Sequence, residues 1–366
     1  MTTNNSDLGV FDDWLNDGPT ARVAVIRKER LRPAAGEGAI VFPPTFAGKS
    51  PGESTYLIDD LPGGRSVVMD SVGSQANRME ALFAPPAGPF QDFVPQIEFT
   101  VTRGEGKPPV TLNLLDAGHR AADALVRYSD LAPEVSRAFR AIDMERDYVP
   151  LARLSPLSLV FGVWDSRGFS GSRIKVPRMV TSTVRAYDVS VVQRGAQFVP
   201  AVRKKLEKDE IEELAGVFQD TKLSEDGLAE APSRGLGGIV SRGPILREAV
   251  LSLVALRNLR GPDDAATLTL RRYILGLALL SLTTPLSPEY RSGCLLVPHD
   301  PKAPATLELV SRDGTTAPCP VQDVALFARG AANAFGVPEA RRTMTFDWKV
   351  VKESVRAKQE KRTPKD

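Results

Sequence analysis

The sequence predicts an α+β fold, and three observations carry that prediction. Val67–Phe83 (VVMDSVGSQANRMEALF) reads as a short apolar strand, a polar cap, and then helical spacing at Ala76, Met79, Leu82 and Phe83. Ile245–Leu259 and Asp263–Leu282 form a second pair, a strand and then a stronger helix that starts at Pro262-Asp263. The order strand, helix, strand, strand, helix, strand is recovered from 20–32, 67–83, 94–115, 245–259, 263–282 and 294–310, with 119–240 set aside as a large insertion. That order is compatible with a ferredoxin-like, RRM-like core, among several arrangements.

Thr20–Arg32 alternates at Val23 and Val25 before turning basic, as a first strand leaving the core does. Pro43-Pro44 and the Gly- and Pro-rich sequence up to Gly64 predict a long loop carrying Lys49. After Val67–Met69, any of Asp70, Ser71 or Ser74 can cap the helix. Gln75, Asn77 and Arg78 then crowd its first turns beside unpaired N–H groups, a setting that favours anions. The plainer reading is a capped surface helix with ordinary polar residues. Ala84–Gly88 (APPAG) ends it. Val94–Thr102 and Val110–Leu115 predict strands around a turn-rich Arg103–Pro109.

His119–Tyr128 is helical and resumes after Pro133 over Glu134–Met144. His119 stands at the start, either bonded to backbone or joining Arg120 in a phosphate contact. Leu157–Trp164 (LSLVFGVW) predicts a nearly all-apolar central strand that ends in the flexible loop Asp165–Gly171. Arg173–Val176 and Met179–Val192 alternate as strands. From Ser166 to Arg185 stand Arg167, Arg173, Lys175, Arg178 and Arg185 with no acidic residue. Cations for phosphates and Phe169 for a base suit that segment to single-stranded nucleic acid. A charged surface hairpin without a ligand is the alternative.

Val202–Phe218 predicts an amphipathic helix of mixed charge. Ala231–Arg247 carries Arg234, Arg242 and Arg247, again without an acid. Its glycines (Arg234–Gly238, RGLGG) let backbone approach a ligand closely, but the dinucleotide fingerprint is missing, so no nucleotide cofactor is expected. Cys294–Val297 and Thr306–Val310 predict a hairpin, and Val321–Phe335 a last helix closed by Gly336. From Lys349 the tail holds seven Lys/Arg against three acidic residues, either solubilising or an arm for RNA or a partner.

With 42% hydrophobic and 25% charged residues, the chain of 366 has an ordinary globular composition. A net charge of +2 does not announce a nucleic-acid binder, but a nearly neutral protein can still carry a basic groove. Cys294 and Cys319 make neither a disulfide framework nor, with His119 and His299, a metal cluster, so no metal is expected. The first eighteen residues lack the pattern of a signal peptide, and apolar Tyr273–Leu282 falls short of the ~20 residues that span a bilayer. A cytoplasmic protein with no membrane partner is expected.

Asp70–Glu80 (DSVGSQANRME), Ile40–Phe46 (IVFPPTF), His119–Ala124 (HRAADA), Pro156–Gly168 (PLSLVFGVWDSRG) and Arg178–Asp188 (RMVTSTVRAYD) together resemble a family in order and spacing. It is that of the CRISPR-associated RAMP proteins, specifically the Cas-seven-type backbone subunit of the type I-G (formerly I-U) Cascade complex, the Csb-one family. The resemblance selects the RRM-like core, placed at 20–118 and 241–345. Residues 119–240 become inserted helical and hairpin parts of thumb or finger type, between the N-terminal segment 1–19 and the basic tail 346–366.

The resemblance also implies binding of crRNA and, through an RNA–DNA heteroduplex, of target DNA. Further partners are neighbouring copies of the chain and other Cascade subunits, of Cas-five and Cas-six type and the large subunit. The candidate RNA-binding residues are Lys49, Ser74, Gln75, Asn77, Arg78, His119, Arg120, Arg167, Phe169, Arg173, Lys175, Arg178 and Arg234. Type I backbone subunits are implied to be non-catalytic. Asp70, Ser71 and His119 are triad residue types without a nucleophile elbow. Asp165 and Asp188 are acid–base or magnesium candidates that also read as turn and strand-end residues. Some relatives in type III complexes cleave RNA through a loop aspartate, which makes Asp165 and Asp70 the positions to test. A scaffold binding only protein is the third reading.

Overall fold

Alternate residues of the central strand Arg22–Pro33 face one interior, and the neighbouring strands continue that face row by row. The computed structural model describes residues 7–50, 54–102, 107–168, 171, 173–198, 201, 205, 207–217 and 231–360. Thr306–Ser311, Arg22–Pro33, Ile245–Ser252 and Val180–Tyr187 lie side by side, each antiparallel to the next. The helices Val72–Glu80 and Asp264–Thr283 pack against these strands and each other. This is the ferredoxin-like order of an α+β fold, extended beyond Val180–Tyr187 by Gly64–Asp70 and Ile58–Leu61.

Several expected elements change place. The second core strand is Val180–Tyr187, from within the stretch expected as an insertion, and not 94–115. Ile97–Val101 and Val110–Asn113 instead join Arg342–Phe346 in a separate three-stranded sheet. Cys294–Pro298 and Thr306–Ser311 do not make a hairpin. Both run antiparallel to the central strand, one after the other along the same edge. Leu157–Trp164 is not a central strand either. It is a short helix, Leu157–Val160, after which Gly162 at φ +80° turns the chain into the two-residue strand Val163–Trp164. An apolar run buried on all sides fits helix and strand equally well. Ile245–Leu259 splits at Ser252, whose side chain caps the helix Leu253–Arg257.

Asp263 caps the long helix Asp264–Thr283, its carboxylate accepting from the Ala266 N–H at 2.8 Å. The helix has 20 residues, enough for a membrane span by length and composition, yet every residue from Tyr273 to Leu282 is buried in the protein. Its close neighbour is Val324–Phe335, which ends at Gly336 as the sequence predicts. A Cβ on Gly276 would come within 2.9 Å of Ala328 Cα, so the helices meet this closely only because Gly276 is glycine. Cys294 and Cys319 are free, and burial pushes both thiols up to about 11.

The buried face has a polar middle. Across three strands the rows read Val25–Leu251–Val180, Arg27–Ala249–Ser182, Glu29–Arg247–Val184 and Leu31–Ile245–Ala186. The outer rows belong to two separate apolar clusters, and the inner rows hold the charge between them. Gln75 enters from the helix: its Oε1 accepts from Ser182 Oγ at 2.8 Å and Arg247 Nε at 3.0 Å. Its Nε2 donates to Asp70 at 2.7 Å. Asp70 also accepts from Arg78 (2.9 Å) and Arg291 (3.3 Å), and Glu29 from Arg27 and Arg247 (3.3 Å each).

Removing one charge from such a stripe strands the others. Glu29→Gln keeps the shape and is expected to cost about 3–5 kcal/mol, read from urea unfolding. Asp59→Asn, which breaks the more accessible pair with Arg185, should cost about 0–1 kcal/mol. Equal losses would show that burial of the stripe has no part in stability.

Candidate nucleic-acid interface

The helix Val72–Glu80 is fixed at both ends by different devices. At its start Ser71 is the cap, its Oγ accepting from the Ser74 N–H at 3.3 Å. At its end the Glu80 carboxylate lies buried under two hydrogen bonds from Arg120, Nε to Oε1 at 2.6 Å and Nη2 to Oε2 at 2.9 Å. Arg120 spends its third donor on the Gly162 carbonyl at 3.1 Å. Its backbone is left-handed at φ +52°, an uncommon conformation for a residue with a side chain. Burial raises the Glu80 pKa, while the Arg120 hydrogen bonds and the charges of Arg120 and Arg178 act the other way.

Above this floor opens a cleft of about 430 Å³, walled by His119, Phe161, Trp164, Ser166, Lys175 and Arg178 among others. Its rim is a ribbon in which Val163–Trp164 pairs with Lys175–Val176. Gly162 sets the depth, because a Cβ there would lie 2.9 Å from Arg178 Cγ and 3.0 Å from the Val176 carbonyl oxygen. A second hollow, of about 520 Å³, shares Lys175 and adds Arg146, Arg173 and Arg260, with Asp143 as its acidic member. Arg178, Lys175, Arg173, Arg146 and Arg260 are all exposed, and none makes an ion pair with a described residue. A continuous band of unpaired cations lined by an indole can hold a polyanion that carries aromatic groups.

The predicted residues divide sharply. His119, Arg120, Lys175 and Arg178 meet at the cleft, and Arg173 lies next to it. Arg167 is exposed in the turn that follows the ribbon's first strand. Arg120 is not available to a phosphate, since all its bonds go inward. Gln75 is fully buried, and Arg78 is spent on Asp70 and the carbonyls of Glu289 and Tyr290. These two shape the interior rather than an exposed helix terminus, because the buried Asp70 carboxylate draws both inward. Ser74 is half-buried and Asn77 exposed on that helix, and Lys49 is exposed on its loop; none of the three lines either hollow. Arg234 pairs with Gly195 in a two-stranded arm, Val189–Phe198 with Ala231–Ser241, and Phe169 lies outside the described residues. Sequence reasoning missed Trp164, Arg146 and Arg260: the indole closes an apolar run, and the two arginines lie outside the acid-free runs.

Arg120→Ala leaves Glu80 buried without its partner, with an expected loss of about 3–5 kcal/mol at neutral pH. A carboxyl with a raised folded pKa is favoured below the unfolded value of 4.5 and penalised as pH rises through the folded one. The deficit of Arg120→Ala should therefore shrink as pH falls toward 4.5. Thermal melts over that range check it, with Arg178→Ala expected to stay within about 0.5 kcal/mol of wild type.

No protein of curated function matches the sequence. The chain aligns with a chain of a solved structure described as "CRISPR RNA-guided surveillance complex, pre-nicking", over 94% of its own length and 89% of the other. The identity is 13% and the TM-score 0.37, a likeness too low to assign a role. Residues 25–191, from the central strand through both walls of the cleft to the first strand of the arm, match the family model described as CRISPR-associated protein GSU0053.

Proposed function

We propose that this chain is a crRNA-binding backbone subunit of a type I CRISPR surveillance complex, of Cas-seven type and type I-G. The observation that carries this reading is the position of the band: Arg146, Arg173, Lys175, Arg178 and Trp164 all fall within the 25–191 segment that matches a CRISPR-associated family. Phosphate contacts hold any guide regardless of its sequence and leave bases to pair with target DNA.

The reading is of a binding subunit rather than a cleaving one. A loop-aspartate nuclease needs a carboxylate open to the RNA. Asp165 is fully buried and paired with Arg127 at 3.2 Å, and Asp70 is buried in the polar stripe. Copies are proposed to stand head to tail. The arm leaves the sheet at one end of Val180–Tyr187 and the ribbon stands at the other, roughly 25 Å away at about 3.3 Å per residue. That separation gives each copy two contact regions, one for the guide and one for its neighbour.

Two measurements test this. Replacing Arg173, Lys175 and Arg178 together by Glu should abolish binding to guide RNA at matched salt without changing the melting temperature. Each single Ala variant should reduce the slope of log Kd against log salt by roughly 0.7. A folded triple variant with wild-type affinity removes the band from the site. Separately, native mass measurement on guides of graded length should show copy number rising stepwise. One fixed stoichiometry at every length would overturn the head-to-tail row while leaving RNA binding intact.

A further inference from the structure

We infer that Trp164 is a base-stacking platform, so that the cleft takes single-stranded nucleic acid with an unpaired base rather than a duplex or a bare polyanion. This rests on the RNA-binding reading above and refines it. Trp164 is 61% exposed, whereas Trp14 is packed in the core and Trp348, at 45%, leans on Phe346 with ring centres 5.2 Å apart. Among the described residues no other ring packs on Trp164. An indole exposed at the edge of a cleft offers a large flat apolar face to a ligand.

Its mounting is rigid. Val163 before it is buried, and Asp165 after it is buried against Arg127, with the Asp165 N–H donating to the Ile174 carbonyl at 2.8 Å. Gly162 is wedged against Arg178. The ring therefore projects from a backbone held on both sides. Lys175, its cross-strand partner, places Nζ 5.8 Å from the ring centre, while Arg178 and His119 stand in the same cleft. Cations beside the ring can meet the phosphates on either side of a stacked base. A protein partner fits less well, because Lys175 and Arg178, exposed and without an ion pair to a described residue, share the cleft with the indole. Stacking is sequence-tolerant, since every base has a π-face, but it requires that the base be out of a helix.

The test uses the full chain carrying Trp348→Phe, in which Trp164 is the exposed indole, and three probes of equal length. These are a mixed-sequence single-stranded RNA, the same backbone made abasic throughout, and the RNA annealed to its complement. The single strand should quench indole fluorescence and bind most tightly. The abasic strand and the duplex should bind more weakly, with little quenching. Trp164→Ala should weaken single-strand binding roughly five- to hundred-fold with an unchanged salt slope, whereas Lys175→Ala lowers the slope; Trp164→Phe should restore most of the affinity. If the parent binds RNA but Trp164→Ala and the abasic strand behave like their controls, stacking is wrong and RNA binding stands. If no single strand binds even at low salt, both readings fall. Loss of self-association with unchanged RNA affinity in Trp164→Ala would assign the ring to a protein contact and overturn stacking.

Discussion

Four arginines, two of them buried and two partly so, close on two carboxylates where the helix Val72–Glu80 meets the central sheet. Desolvating so many charges is costly, and only a dense set of partners offsets it. Asp70 alone receives Gln75, Arg78 and Arg291. Arg27 reaches past Glu29 to the carbonyls of Leu282 and Thr283, closing the C-terminal end of the long helix, where a cation also suits the helix dipole. Arg247, 2% exposed, has its pKa lowered first by burial and then by Arg27. Apolar packing on either side is indifferent to small slips of one layer over another. Paired charges are not, and they hold the helix in one register on the sheet.

That register carries through to the cleft. Gln75 in the stripe and Glu80 in the floor lie on one helix, about 7.5 Å apart along its axis. Through Arg120 the floor holds the Gly162 carbonyl, and Gly162 meets Arg178 and the ribbon. The protein thus uses arginine in two ways. Interior arginines bond to carboxylates and carbonyls and build the frame. Those of the band are exposed and make no ion pair with a described residue.

Local patterns were legible in the sequence where local chemistry decides them. The helix start at Pro262-Asp263, the stop at Gly336 and the strand–helix unit at 67–83 all stand. What was not legible is decided at a distance. Nothing in the alternation of Ile97–Val101 says that its partner is Arg342–Phe346 rather than the central sheet. Arg78 and Arg120 look in sequence like Arg178, and only the buried carboxylates of Asp70 and Glu80 separate them. Trp164 was hidden at the end of an apolar run, where a reader assigns it to the core.

The outermost strands of the central sheet are Glu289–Arg291, Thr316–Pro318 and Ile58–Leu61, of three, three and four residues. One ends in proline and another carries Asp59 and Asp60. Long flat edges recruit further strands without limit, and short, charged or proline-ended ones do not. For a protein proposed to stand shoulder to shoulder with its own copies, this is a safeguard against fusion. Crowded copies find no long open ladder at the outer edges of the central sheet.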